Sequence, residues 1–145
     1  ALGIGQWDVF LLAGRYTLLE QTPLDKLFPA CEAVGTTIIC GGSFNSGVLV
    51  GHEMWNYDTA PNAIIKKVRA LNEVAAKFDI PLPAAALQFP LGHKIVTLVI
   101  PGPRSKNELN EILEWHSFEV PAAFWTALKS KNLIHEDAPI SFTHL

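Results

Sequence analysis

Three strand-length apolar runs, each ending in a loop of small residues and each followed by a helix-forming segment, limit this fold more than any other feature. "WDVFLLAG" (7–14), "TTIIC" (36–40) and "IVTLVIPG" (95–102) are continuous apolar or β-branched stretches. Runs of that length without in–out alternation suit strands buried on both faces of a parallel sheet. The segments between them have helical signals. In "TPLDKLFPACEAVG" (22–35), Thr22 is placed to cap, Pro23 suits the first turn and Asp25 favours the positive N-terminus. Leu24, Leu27, Phe28 and Cys31 line one face, and Gly35 supplies a left-handed end. "TAPNAIIKKVRALNEVAAKF" (59–78) repeats Ile64, Val68, Leu71, Val74, Ala75 and Phe78 at helical spacing. A shorter helix over 83–93 follows its own proline. Residues 104–115 form a helix in which Ser105 and Glu108 fit the capping box, and a last helix spans 121–132. Residues 48–58, with His52, Trp55 and Tyr57, read as a long connection. The order strand, helix, strand, helix, helix, strand, helix, helix means a parallel sheet with covering helices. No internal repeat and no low-complexity segment interrupts it.

The 145 residues are one domain's worth, and 49% hydrophobic against 17% charged is enough apolar material for a substantial core. A net charge of −3, with Arg15, Arg69 and Arg104 as the only arginines, argues against nucleic acid as a main partner. The longest apolar runs fall well short of a membrane span, and no signal-peptide pattern is present. Cys31 and Cys40 read as buried thiols in a reducing, cytoplasmic compartment. A zinc site needs more ligands at closer spacing, so no metal is expected.

In parallel α/β architectures ligands bind at the carboxyl ends of the strands. That rule selects "AGRYTLLEQ" (13–21), "GGSFNSG" (41–47) and "PGPRS" (101–105). The glycines of the last two let backbone N–H groups approach an anion, and the helix near Ser105 adds its positive end. A phosphate or pyrophosphate fits this chemistry, and a merely tight turn fits the same residues. "GGSFNSG" is neither G-x-G-x-x-G nor a P-loop. His93, following Gly92 at a helix end, reads as a partner of the helix dipole. His52 reads equally as pocket lining or surface loop, and His116, His135 and His144 read as solvated. There is no G-x-S-x-G elbow, no H-E-x-x-H and no carboxylate pair, since Glu119, Glu136 and Asp137 fall in linkers. No general acid–base machinery is visible in these residues.

Three segments together carry a resemblance: "WDVFLLAGRYTLLEQ", "GGSFNSGVLVG" and "LVIPGPRSKNELNE". In order and spacing they resemble the C-terminal half of the aldo/keto reductase family, in particular its sugar-oxidising D-threo-aldose 1-dehydrogenase (L-fucose dehydrogenase) branch. "PAAALQFPLGHKIVTLVIPGPRS" is similar to the last helix–strand–loop unit of that family, and "VPAAFWTALKSKNLI" to the C-terminal helix of the branch. The resemblance covers nearly the whole chain.

It implies a (β/α)8 TIM barrel of which residues 1–145 are the C-terminal half, about strands five to eight, with the three apolar runs as strands six, seven and eight. It implies an NAD- or NADP-dependent oxidoreductase that moves a hydride between nicotinamide and C1 of an aldose or a small aldehyde. The loop Ser43, Phe44, Asn45, Ser46, Gly47 would run along the cofactor pyrophosphate. Gly102, Pro103, Arg104, Glu108 and Glu111 would hold the adenosine end. NADP-preferring members pair an arginine with the 2′-phosphate where this chain has Glu108, so NAD is expected, with NADP as the alternative. Glu111 matches an adenine contact, but Ile112 stands where an asparagine usually follows, and Ala13 falls near the glutamine of strand six. Trp55 and Tyr57 are substrate-pocket candidates, Tyr57 equally a core filler. The family's catalytic tyrosine, lysine, aspartate and histidine come from the first four strands, so none is expected in this chain. "ALGIG" resembles strand five and "QWDVF" the start of strand six, with the helix that should join them missing between residues 5 and 6. The chain is then a deletion product, or residues of a longer protein are omitted. The competing expectation is a non-catalytic half-barrel that binds nucleotide or pairs its open sheet edges with another copy.

Overall fold

The computed structural model describes residues 3, 5–55, 58–140 and 142. In chain order its elements are β1 (Val9–Ala13), α1 (Leu27–Val34), β2 (Thr37–Gly41), a ribbon of β3 (Met54–Trp55) and β4 (Asp58–Thr59), α2 (Asn62–Lys77), α3 (Leu82–Gln88), β5 (Val96–Ile100), α4 (Lys106–Ser117) and α5 (Ala122–Ser130). The main sheet is all parallel, in the order β1-β2-β5. Val9 pairs with Thr37 and Ala13 with Gly41, so β1 and β2 end level with each other. Each apolar run expected to be a strand is one. Of "ALGIG", Ala1, Leu2 and Ile4 lie outside the described residues.

Three expectations need correction. The helix expected over 22–35 begins later. Thr22–Leu24 is a single 3-10 turn, closed by the Asp25 N–H on the Thr22 carbonyl at 3.2 Å, and Thr22 caps nothing. The chain bends at Lys26 (φ −142°) before α1 starts, and α1 ends as expected on left-handed Gly35. The connection over 48–58 contains 3-10 turns over Asn45–Val50 and the β3–β4 ribbon. Strands of two residues leave no periodic trace in a sequence. Finally, β1 and β5 are buried on one face only. Phe10, Leu12, Ile38, Cys40 and Val96 face the helices, while Leu11 on the other side is 62% exposed and Ile100 45%. An apolar run reports that both faces can be covered, and the second cover is not among the described residues.

Between sheet and helices lies an aromatic core. Tyr16 packs on Phe28 at 4.7 Å and Phe124 on Trp125 at 5.1 Å, all four buried. A fully buried side chain of this size stabilises by about 2–3 kcal/mol. Cys31 and Cys40 are both buried and both free thiols. Among the described residues no helix is long and apolar enough to cross a membrane, and no cluster of three His, Cys, Asp or Glu could hold a metal.

Candidate functional site

The level ends of β1 and β2 start the site. The Gly14 N–H donates to the Gly41 carbonyl at 2.8 Å, so the two strands hand over to two loops in direct backbone contact. A Cβ on Gly42 would lie 3.2 Å from the Gly14 nitrogen, and φ there is +65°. Glycine is what lets the loops stack this closely. The Asn45 amide then donates to the Gly14 carbonyl at 3.3 Å and ties the second loop to the first. Asn45, Ser46 and Gly47 have φ of +47°, +60° and +101°, a left-handed turn over three residues. Beneath it, Ser43 is fully buried, and neither its Oγ nor the Asn45 Oδ1 has a hydrogen-bond partner.

The opposite wall follows β5. Ser105 caps α4 by accepting the Glu108 N–H at 3.1 Å, as the sequence pattern requires. The reciprocal half of the capping box is displaced by one residue. The Glu108 carboxylate accepts the Arg104 N–H at 2.7 Å rather than that of Ser105, and lies 3.3 Å from Arg104 Nη2. The backbone donor at Arg104 holds Glu108 below the usual carboxylate range, helped by the Arg104 guanidinium and by His52. Further along α4, Trp115 meets Phe44 edge-to-face at 5.6 Å and joins the two walls.

These elements enclose an open cavity of about 700 Å³. Phe44, Asn45, Ser46 and Gly47 line one side; Gly102, Pro103, Arg104, Glu108 and Glu111 line the other. Ser43 lies under the floor and does not line it. Trp55 sits half-buried in β3 and is not one of the residues that line the cavity. Tyr57 lies outside the described residues, as does His144. Sequence reasoning missed Trp115, although Glu108, Glu111, Ile112 and Trp115 follow helical spacing and so share one face. It left His52 undecided; the residue is exposed and lines the cavity.

Among the described residues, His93, His116 and His135 do not line this cavity. His93, at the amino end of β5, is buried against Phe28 at 4.7 Å, with its Nδ1 accepting the Ile95 N–H at 3.4 Å. It stands at the end of the Phe89–Gly92 turn, where the sequence reading put it, and burial there holds its imidazole below the ordinary value. His135 is not solvated as expected: it is half-buried, with Nε2 3.3 Å from Asp25.

Helix-covered parallel strands with a cavity at their carboxyl ends define part of a (β/α)8 barrel. The aldo/keto reductase family model matches residues 5–133, and the chain belongs to that family. It is 34% identical over an alignment of 149 positions to pyridoxal 4-dehydrogenase of Microbacterium luteolum, covering 92% of this chain and 44% of that protein. It is 35% identical over 132 residues to D-threo-aldose 1-dehydrogenase of a Pseudomonas species, covering 88% and 40%. Among solved structures, the holo form of aldo-keto reductase AKR11C1 from Bacillus halodurans aligns over 99% of this chain and 47% of its own, with TM-score 0.69 and 19% identity. Glycerol dehydrogenase AKR11B4 from Gluconobacter oxydans aligns over the same shares with TM-score 0.64 and 16% identity. The chain spans less than half the length of each of these proteins.

Proposed function

We propose that this chain forms the cofactor-holding part of an NAD(P)-dependent oxidoreductase acting on an aldose or a small aldehyde. The observation that carries the reading is the shared cavity of the β2 and β5 loops. Its left-handed turn at Asn45–Gly47, the exposed Arg104 guanidinium and the amino end of α4 suit a diphosphate. The Glu108 carboxylate suits ribose hydroxyls and repels a 2′-phosphate, which favours NAD over NADP. Phe44 and Trp115 offer aromatic surface to the nucleotide. When bound, the nicotinamide supplies hydride transfer. The residues here bind and orient it, and the group that moves the proton is supplied by the rest of the barrel. The pyridoxal and aldose in the names of the two curated relatives support the substrate class. Two free buried thiols support a cytoplasmic setting.

The test is titration of the complete protein with NADH and NADPH, followed by quenching of tryptophan fluorescence. NADH should bind at least about tenfold more tightly, and Glu108→Arg should reverse the order. Failure to bind either dinucleotide sinks the reading. The exposed Leu11 and Ile100 side of the sheet favours a second one, a non-catalytic half-barrel that assembles with another copy. Dehydrogenase activity on fucose or arabinose would exclude it.

A further inference from the structure

We infer that His52 is a phosphate-contacting residue of the nucleotide cavity, a reading that rests on the cofactor assignment above. The geometry begins at Gly47. The His52 N–H donates to the Gly47 carbonyl at 2.9 Å and closes the turn. The imidazole then lies against the bare face of Gly47: a Cβ there would sit 2.5 Å from Nδ1 and 3.0 Å from Cγ of the ring. The missing side chain is therefore a seat for the histidine, which fixes the ring on the wall that carries Asn45 and Ser46.

Charge gives the seat a purpose. The charged or titratable groups that share the cavity with His52 are Arg104, just before α4, and Glu108 and Glu111 on α4. β1 and its loop contribute Ala13 and Gly14, which carry no charge. One guanidinium nitrogen of Arg104 is paired with Glu108, and the rest of that group is exposed. A diphosphate brought into this cavity meets two carboxylates and one partly neutralised arginine. His52, on the opposite wall, is the further cationic donor within the described lining, and its field already reaches Glu108. A protonated imidazole offers a charge-assisted hydrogen bond of the kind that binds phosphate oxygens.

The experiment compares ADP with adenosine, by calorimetry, on the complete protein. His52→Gln keeps a polar side chain without the charge, and His52→Lys keeps a charge without the imidazole. His52→Gln should weaken ADP about fivefold to thirtyfold and adenosine less than about twofold, and His52→Lys should restore most of the ADP affinity. Equal losses for ADP and adenosine mean that His52 only packs on Gly47, and the inference falls. No loss in either variant also overturns it. If the parent binds neither ligand, the cofactor reading fails, and this inference with it. A thermal midpoint for each variant separates these results from misfolding, and the lysine variant keeps the question open to decision if the glutamine variant does not fold.

Discussion

The side-chain amide of Gln88 donates to the Trp115 carbonyl at 2.8 Å and to the Phe118 carbonyl at 2.8 Å. The last carbonyls of a helix have no partner within it. Here the end of α3 supplies donors for the end of α4, and α4 is the element that presents Glu108, Glu111 and Trp115 to the cavity.

Gln88→Leu removes both donors while keeping the side chain's bulk. It should cost about 1–3 kcal/mol in urea unfolding, because the carbonyls lose their bonds without regaining water. Nucleotide affinity should fall with it, since Trp115 sits on the turn that Gln88 holds. An unchanged unfolding midpoint would show that water replaces the amide.

Gly47→Ala should be among the costliest single-methyl changes in the chain. The position has φ +101°, and the new carbon would collide with the His52 ring. Backbone strain of that kind costs about 1–3 kcal/mol. Thermal unfolding should show the loss, and ADP affinity should fall further than stability alone explains. A variant as stable as the parent would mean that His52 swings clear at no cost.

His93 makes the fold sensitive to acid. Burial depresses its pKa below the ordinary 6.5, with Glu32 opposing and Lys94 adding to the effect. The unfolded chain therefore takes up the proton first as pH falls. The stability tied to the neutral ring is whole above pH 6.5 and is lost as pH drops through the folded value. Urea midpoints measured from about pH 8 to 5 should decline in the parent, and less steeply in His93→Gln. Parallel profiles would place the acid sensitivity elsewhere.

Cys31 and Cys40 should resist alkylation. Burial pushes the Cys40 thiol up to about 12 and raises Cys31 as well. The thiolate is the reactive form, so iodoacetamide at mildly alkaline pH should leave the native protein unmodified and label both cysteines in urea. Labelling of Cys40 under native conditions would show that the β2 end opens to solvent.

Much of this was legible because it was written in long signals. The parallel strands announce themselves as uninterrupted apolar runs, and the cavity walls as the glycines that end two of them. Ser105 and Glu108 marked the start of α4 correctly. Other features depend on meetings between distant residues. Gln88 reads as one polar residue in an alanine-rich helix until Trp115 and Phe118 are seen above it. Glu108 fits a capping box by spacing, yet its carboxylate goes to Arg104, a choice between neighbouring N–H groups that spacing does not resolve. The seat of His52 is hidden for a different reason, since it is made by an atom that Gly47 lacks.

The left-handed turn through Asn45, Ser46 and Gly47 has a consequence for timing. Its three inverted residues and the Asn45 amide bonded to Gly14 hold the loop in one defined shape. Where the fold itself fixes a loop, the entropic cost of shaping it falls on folding, once, rather than on each encounter. Arrival at this wall is then governed by diffusion and salt-screened attraction, and differences in residence time among visitors are set by how quickly each escapes.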